Sequence, residues 1–546
     1  MISKISVEDK HFNNKYIACP KNNNSTKNPS FKGGLWSLAL LGIQECEKNP
    51  MVNVAVIDML SAILPRTIVE STTNWYAGFE AFRRESSGLV VNCLIPSVIT
   101  LGIASGLNRF IIPGQAKMAG CWADSSLINK ASDFYLNSQA DDKIKDALKE
   151  ILGNIEGYHG NEKIVFKEVI PTELEAYATQ LRELCDSNIS RKELNKRIKT
   201  MSEEIVEKTH VFENIKVGGG KEKVNASTIT TLLEDSVKYF KEYQKAGNIN
   251  ILEFAKKSKH LVKAKSLLGL AVVLPLAASM QYLNRWMTEK ASGVKGAPIY
   301  DDYGKEQNEA VKEKSKEGLL KQKFISISSM LGVSLLSMMK MPSMNMLEFK
   351  GMFPTMDQAR IISTTTFASR MAAADDKNEL AEATIRDIAT FSGLYFLGDY
   401  AGKAAATLIE KKTGVKLLND TNPLKGNENI LKRFWHWIKE VNIKSSEEVV
   451  SNLAEELKLE GKTPNLTQKA QIKKELNKAV NLRRACQVAN LGVSLLLLGL
   501  VIPIFTRKNT KKKHAETIKL VQETSSSGVN DKNSTQLGKS PTVSIR

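Results

Sequence analysis

The chain has 546 residues, with 77 Lys or Arg against 59 Asp or Glu, a formal net charge of +18 and a pI near 9.3. That length provides for more than one folding unit, and a mean hydropathy of −0.23 excludes a chain lying wholly inside a bilayer. Six scattered cysteines with no CxxC spacing argue against a disulfide framework and against a zinc site.

Residues 1–34 read as a disordered basic tail, with six Lys against Glu8 and Asp9. No cleavable secretory signal is evident there, so internal helices would carry the targeting information. Residues 35–123 read as apolar, membrane-type helices. Leu35–Ile43 begins the ordered part. Met51–Val69 is apolar but holds Asp58 and the Pro65-Arg66 pair, which suits an interfacial or buried helix as well as a span. Trp75, Tyr76, Phe79 and Phe82 beside Arg83 and Arg84 have the composition of a headgroup-level belt, and equally of a soluble core helix. The stretch 75–85 (WYAGFEAFRRE) resembles the matrix-helix motif of mitochondrial carriers. The carriers' threefold repeat and Pro-x-acid-x-x-base kinks are missing, and Pro354, Asp357 and Arg360 have the wrong spacing, so that family is rejected. Gly88–Leu107 carries no charge and is a predicted span, kinked at Pro96.

Residues 124–260 change character and predict a polar helical domain. Ile144, Leu148, Ile151, Leu152 and Ile155 share one face. So do Leu174, Tyr177, Ala178, Leu181 and Leu184, then Leu194, Ile198, Met201 and Ile205, then Ile229, Leu232, Leu233, Val237 and Phe240. Thr172 with Glu175 and Ser190 with Glu193 predict capping boxes, and Val217–Lys221 (VGGGK) predicts a flexible break. No segment alternates as a strand over any length, and no internal repeat is visible.

Residues 261–413 return to apolar helices joined by polar connections. Leu261–Leu283 is a predicted span with a kink at Pro275, followed by the anchors Arg285 and Trp286. Phe324–Met339 is shorter and Ser-rich. Thr355 with Gln358 opens a helix to Ala374, and Asp375-Asp376 caps the next. Ile388–Ile409 is a sixth apolar segment and carries Asp399 and Lys403. Residues 414–485 read as a second polar helical region, with Trp435 and Trp437 in an amphipathic piece and Ser445 with Glu448 as a cap. Residues 486–506 hold the strongest span, Val488–Phe505, uncharged and roughly 27 Å long at the helical rise. Arg507, Lys508, Lys511, Lys512 and Lys513 follow it, which places the C-terminus in the cytoplasm and offers contacts to anionic lipid headgroups. Arg483-Arg484 precede the same span, so basic residues flank it on both sides. Residues 507–546 read as a second disordered basic tail. The two tails hold +10 of the +18, a charge that fits anionic lipid better than nucleic acid beside so many apolar segments.

GxxxxGK[ST], HExxH, GxSxG and GxGxxG are all missing, and the six histidines lack ligand spacing. No catalytic, metal or cofactor residue is assigned, and the chain is read as non-enzymatic. Asp399 and Lys403 lie four apart on one helix face and form a candidate intramembrane charge pair. Gly102 with Gly106 and Gly398 with Gly402 are candidate helix-packing pairs. The expectation is an all-α, polytopic helical membrane protein with helical extramembrane domains and disordered basic tails. Its expected role is a non-catalytic tether, scaffold or membrane organiser, contacting the lipid bilayer throughout and a protein partner through 124–260. The alternative is a transporter or channel with Asp399 and Lys403 near the pathway. Oligomeric state is left open.

Overall fold

A computed structural model describes residues 50–519 except 73–74, 160–161, 188, 210, 212, 220–223, 293–317, 339–343, 352, 421–423, 425–427, 447, 450–452, 454–465, 510, 514 and 517–518. The two tails and Leu35–Ile43 therefore lie outside the described residues, apart from 507–519. The described residues are predominantly helical, 82% helix, with few strands. In order, the elements are α1 (Met51–Ser71), α2 (Trp75–Ile111), α3 (Ser125–Asn137), α4 (Lys143–Gly153), β1 (Ile155–His159), β2 (Glu162–Val165), α5 (Leu174–Asp186), α6 (Arg191–Thr209), β3 (Glu213–Val217), β4 (Val224–Thr228) and α7 (Ile229–Lys245). They continue with α8 (Ile251–Ser292), α9 (Leu319–Met338), α10 (Met356–Ala373), α11 (Lys377–Ser392), α12 (Gly398–Thr413), β5 (Leu418–Asp420), α13 (Ile430–Lys439), β6 (Val441–Ile443) and α14 (Leu466–Ser494). These elements form two compact units, each assembled from three separate stretches of sequence.

The first unit comprises 1–56, 107–261 and 398–492. Its helices bury the apolar faces the spacing predicts: Leu148, Ile151 and Leu152 on α4, Ala178 and Leu181 on α5, Ile198 and Ile205 on α6, Leu233, Val237 and Phe240 on α7. Asp124 caps α3 by accepting from the Leu127 amide at 2.8 Å, and Asp142 caps α4 by accepting from Lys145 N at 3.0 Å. Ser190 accepts from Glu193 N at 3.3 Å, and Ser445 from Glu448 N at 3.2 Å, at the predicted helix starts. The expected Thr172–Glu175 box does not form. Thr172 donates to Glu173 Oε2, and Glu175 turns to Lys145 Nζ at 2.5 Å and Lys149 Nζ at 2.8 Å.

The larger correction is a four-stranded antiparallel sheet within 124–260, in the order β2-β1-β3-β4, where only helices are expected. Ile155 pairs with Val217 and Ile215 with Ala226, and Ile155, Ile215, Val217 and Val224 are buried. These strands are four or five residues long, too short for period-two alternation to stand out against helical periodicity. Gly218 and Gly219 follow β3, and Gly219 has φ +72°, a conformation that favours glycine; Gly220 and Lys221 of the VGGGK run lie outside the described residues. A second core of this unit joins Ala406, Leu417, Val449, Ala479 and Cys486.

The second unit comprises 57–106, 262–397 and 493–546. Four helical stretches widen to π geometry, and all four lie in this unit among the described residues: Asp58–Ile63, Val90–Leu94, Gly393–Leu397 and Leu495–Val501. Three of them are followed two residues later by proline: Pro65, Pro96 and Pro503. A proline ring collides with the carbonyl four residues back and cannot bond to it. Widening the preceding turn moves that carbonyl away, so the helix continues past the proline. Pro275 stands inside α8 without such a stretch. Gly499 then allows a close approach to α1, since a Cβ there would sit 2.9 Å from Pro65 Cγ and 3.1 Å from the Ser61 carbonyl. A Cβ on Gly393 would meet the Leu498 side chain at 2.7 Å.

Among the described residues, five helices are long and apolar enough to cross a membrane: Met51–Ser71, Trp75–Ile111, Ile251–Ala291, Leu319–Met338 and Lys474–Lys513. Each contains or closely overlaps a segment singled out from the sequence. Ile388–Ile409 is not among them. It is divided between α11, a π-helical stretch and α12.

Candidate functional site

The interior of the second unit is built around charge. On α1, Leu60, Leu64 and Ile68 recur every four residues and face outward, and Arg66, about 200° round the helix from Leu64, faces inward. On α2 the inward stripe is Ala77, Ala81, Arg84, Glu85, Gly88 and Val91, and the outward stripe is Val90, Leu94, Val98 and Leu101. On α9, Leu320, Phe324, Leu331 and Leu335 face out, and Ser326, Met330, Ser334 and Met338 face in. The usual polarity of a water-soluble helix is thus reversed. Val98 and Phe324 are 73% and 74% exposed, against 4% for Arg370 and 0% for Asp387.

Glu85 is the hub. Its Oε1 lies 3.2 Å from Arg66 Nη1 and 3.4 Å from Arg84 Nε, and its Oε2 accepts from Arg370 Nη2 at 3.0 Å. The other side of the Arg370 guanidinium donates to Asp387 Oδ1 at 3.2 Å. Arg386 Nε donates to the same oxygen at 3.2 Å, and Arg386 also stands 3.8 Å from Glu382. Arg66 Nη2 donates to Thr390 Oγ1 at 2.5 Å. Four guanidiniums and three carboxylates from α1, α2, α10 and α11 therefore neutralise one another almost completely. Planar, many-donor arginine suits such a site, because it can bridge two carboxylates at once. Gly88 faces Arg370, whose Nη2 would lie in ordinary contact, 3.7 Å, from a Cβ at that position. Within the cluster, Arg66 Nε and Asp387 Oδ2 are buried with no hydrogen-bond partner.

Two polar layers extend the network. Arg285 on α8 pairs with Asp375 and Glu379, and Arg83 donates to the Asn284 carbonyl at 2.9 Å and to Thr288 Oγ1 at 2.8 Å. On α10, Ser363 and the Tyr395 hydroxyl are 2.6 Å apart, Thr364 donates to Ser334 at 2.7 Å, and Thr366 donates to Asn92 at 3.1 Å. Removing one member of a buried pair in such surroundings strands its partner, at a cost of about 3–5 kcal/mol.

The residues singled out from the sequence fall elsewhere. Asp399 and Lys403 share α12 in the first unit. Asp399 accepts from Asn490 Nδ2 at 3.3 Å, and Lys403 donates to the Ile438 carbonyl at 3.1 Å beside the Tyr400 ring. Burial pushes the Lys403 ammonium pKa down, against the pull of the Asp399 charge. Gly402 is closely packed, with the Ile443 side chain 3.1 Å and the Cys486 carbonyl 3.3 Å from a Cβ built on it, and Gly398 is buried. Gly102 and Gly106 have nothing within 4 Å of such a Cβ and face open space. Arg507 turns back to the end of α1 and donates to the Val69 carbonyl at 2.9 Å, where a cation complements the helix C-terminus. Lys508, Lys511, Lys512 and Lys513 are exposed.

Sequence reasoning missed the network. Its signal was present as single charges on the small-residue or inward faces of otherwise apolar helices: Arg66 opposite Leu64, and Arg84-Glu85 among Ala77, Ala81 and Gly88. Among the described residues no group of three His, Cys, Asp or Glu is arranged to hold a metal ion, and Cys93, Cys121, Cys185 and Cys486 are buried. Comparison with protein-family models, curated proteins and solved structures finds no match for this chain.

Proposed function

We propose that this chain is a polytopic helical membrane protein whose second unit is embedded in the bilayer, and that it serves, without catalysis, as a tether or organiser using 124–260 to hold a protein partner. The observation that carries the membrane assignment is the reversed polarity of the second unit. Leu, Ile, Val and Phe cover its outside while Arg66, Glu85, Arg370 and Asp387 are paired inside. In water such a surface would aggregate, and in lipid it is the ordinary solution. Charges in lipid belong in the bundle interior and in pairs, as they are here. The tethering role is supported by the self-neutralised network, which suits a fixed body better than a moving one. It is also supported by the separate, well-packed polar fold of 124–260, and the exposed Lys508 and Lys511–Lys513 suit the anionic cytoplasmic surface of a membrane. Deleting 124–260 in cells should leave the protein in the carbonate-resistant membrane pellet and abolish co-purification of its partner. Release into the carbonate supernatant by the intact protein would overturn the membrane assignment, and unchanged co-purification would overturn the tether.

A transporter is the second reading, favoured by one observation: Arg66 Nε and Asp387 Oδ2 are buried without hydrogen-bond partners in the middle of the network. On that reading the polar path runs through this cluster rather than past Asp399 and Lys403. Proteoliposomes under an imposed pH or salt gradient decide it. A flux that Asp387→Asn abolishes establishes transport, and no flux with the native chain removes it.

A further inference from the structure

The helix α13 (ILKRFWHWIK) is clamped to the first unit along one side and bare on the other. The clamps are His436 Nε2, 2.8 Å from Asp420 Oδ2, the Trp437 indole, which donates to Thr407 at 3.3 Å, and the Ile438 carbonyl, which accepts from Lys403 at 3.1 Å. The Trp437 and Tyr400 rings lie 6.3 Å apart. On the bare side Ile430, Leu431, Phe434 and Trp435 fall at i, i+1, i+4 and i+5, which is one helix face, and each is between 54% and 80% exposed. The charges within the helix are all of one sign: Lys432, Arg433 and Lys439 flank that face, with Lys432 Nζ 2.9 Å from Glu428 just before the helix and Lys439 Nζ 5.7 Å from the Trp435 ring centroid. Ten residues are about 15 Å of helix, half of what a span requires.

We infer that α13 is an interfacial anchor: its Ile430-Leu431-Phe434-Trp435 face lies in the headgroup layer of a membrane, and Lys432, Arg433 and Lys439 bind anionic lipid. The inference rests on the membrane reading above. Three features select lipid over a protein groove. Basic residues border the apolar face and none of the helix residues is acidic, which matches an anionic surface. Trp and Phe, the side chains that settle at the headgroup level, form half of the exposed face. His436, on the opposite side, is held by Asp420, and Trp437, at the edge beside Ile430, by Thr407, so the exposed face keeps its direction. An interfacial helix of this kind fixes the height and tilt of the domain that carries it.

The test places a fluorophore on the bare face. Full-length protein with Cys19→Ser and Cys46→Ser, carrying Phe434→Cys or separately Leu431→Cys, is labelled with nitrobenzoxadiazole and reconstituted into phosphatidylcholine vesicles with and without phosphatidylglycerol. Leu496→Cys, on the exposed face of the last predicted span, serves as the reference. The expected result for 434 and 431 is blue-shifted emission quenched by a nitroxide near the headgroup end of the acyl chain, at the roughly 5–10 Å depth of interfacial helices. Quenching by aqueous iodide should be weak, and the reference should respond to a nitroxide at the bilayer centre. Reversing Lys432, Arg433 and Lys439 to Glu should lower the ratio of nitroxide to iodide quenching in phosphatidylglycerol vesicles. An unchanged ratio, strong iodide quenching at 434 and 431, or shielding from both quenchers, which marks a protein occupant, each overturns the anchor while the membrane reading stands. Strong iodide quenching of the Leu496 reference overturns both.

Discussion

Arg370 on α10 bridges Glu85 on α2 and Asp387 on α11, with one nitrogen 3.0 Å from the first carboxylate and the other 3.2 Å from the second. The three side chains are buried, and Glu85 and Arg370 stand 285 residues apart in the chain. One guanidinium therefore ties together three helices that the sequence keeps far from one another.

Arg370→Met should destabilise the protein by about 3–5 kcal/mol, because it leaves Glu85 and Asp387 buried with one cation fewer between them. Arg370→Met combined with Glu85→Gln should recover part of that loss, because the stranded charge is removed along with its partner. Thermal unfolding of the detergent-solubilised protein, followed by tryptophan fluorescence, measures both. Losses that simply add would show that the pair is not coupled.

The two kinds of glycine should behave in opposite ways. Gly499→Ala drives a methyl group against Pro65 and the Ser61 carbonyl and should cost about 1–3 kcal/mol. Gly102→Ala meets open space and should be neutral or gain up to about 1 kcal/mol from helix propensity. The same unfolding assay compares them, and a loss at Gly102 would mean that a second chain packs there.

Cys185 is buried, and its Sγ lies 3.7 Å from the Val237 carbonyl. Burial pushes its thiol up to about 12, so the reactive thiolate is scarce at neutral pH. A maleimide should label it only after denaturation, as a mass shift on its tryptic peptide. Rapid labelling of the folded protein would show that this core opens.

Hydrogen bonds from two ammoniums, first Lys145 and then Lys149, hold the Glu175 carboxyl down at about 2 against an ordinary glutamate value of 4.5. The folded state thus binds this proton less readily than the unfolded state. The stabilising contribution is present above pH 4.5 and is lost as pH falls through about 2. It is small, because the side chain is exposed and screened. Glu175→Gln should flatten the acid unfolding curve of the helix-and-sheet core in that window, and an unchanged curve would remove the pair from the stability of the domain.

The helices were largely legible because their signals are local. Uncharged runs marked the longest apolar helices, and apolar residues at helical spacing marked the buried faces of α4–α7. The sheet was hidden by the brevity of its strands, in which Ile215 and Val217 are the clearest alternation. The network was hidden by distance. Arg66, Glu85, Arg370 and Asp387 lie in four different helices, and a charge inside an apolar helix argues against a span when read alone. Its meaning depends on what faces it, which no single segment can show. Asp399 and Lys403 stand four apart on one helix of the other unit, where Asp399 accepts from Asn490 and Lys403 donates to the Ile438 carbonyl. Beside Pro96, where a kink is expected, and beside Pro65 the helix widens to a π-helical stretch, a local adjustment that the sequence does not announce.

The most direct measurement concerns Val98 and Leu496, both exposed on the apolar outside of the second unit. Each is replaced by cysteine in protein reconstituted into sealed vesicles and treated with a membrane-impermeant maleimide, before and after the vesicles are opened. A thiol in hydrocarbon does not ionise and does not meet the reagent, so neither position should react from either side until the protein is dissolved in denaturing detergent. Prompt labelling of both in intact or opened vesicles would place that surface in water and contradict the membrane-embedded bundle.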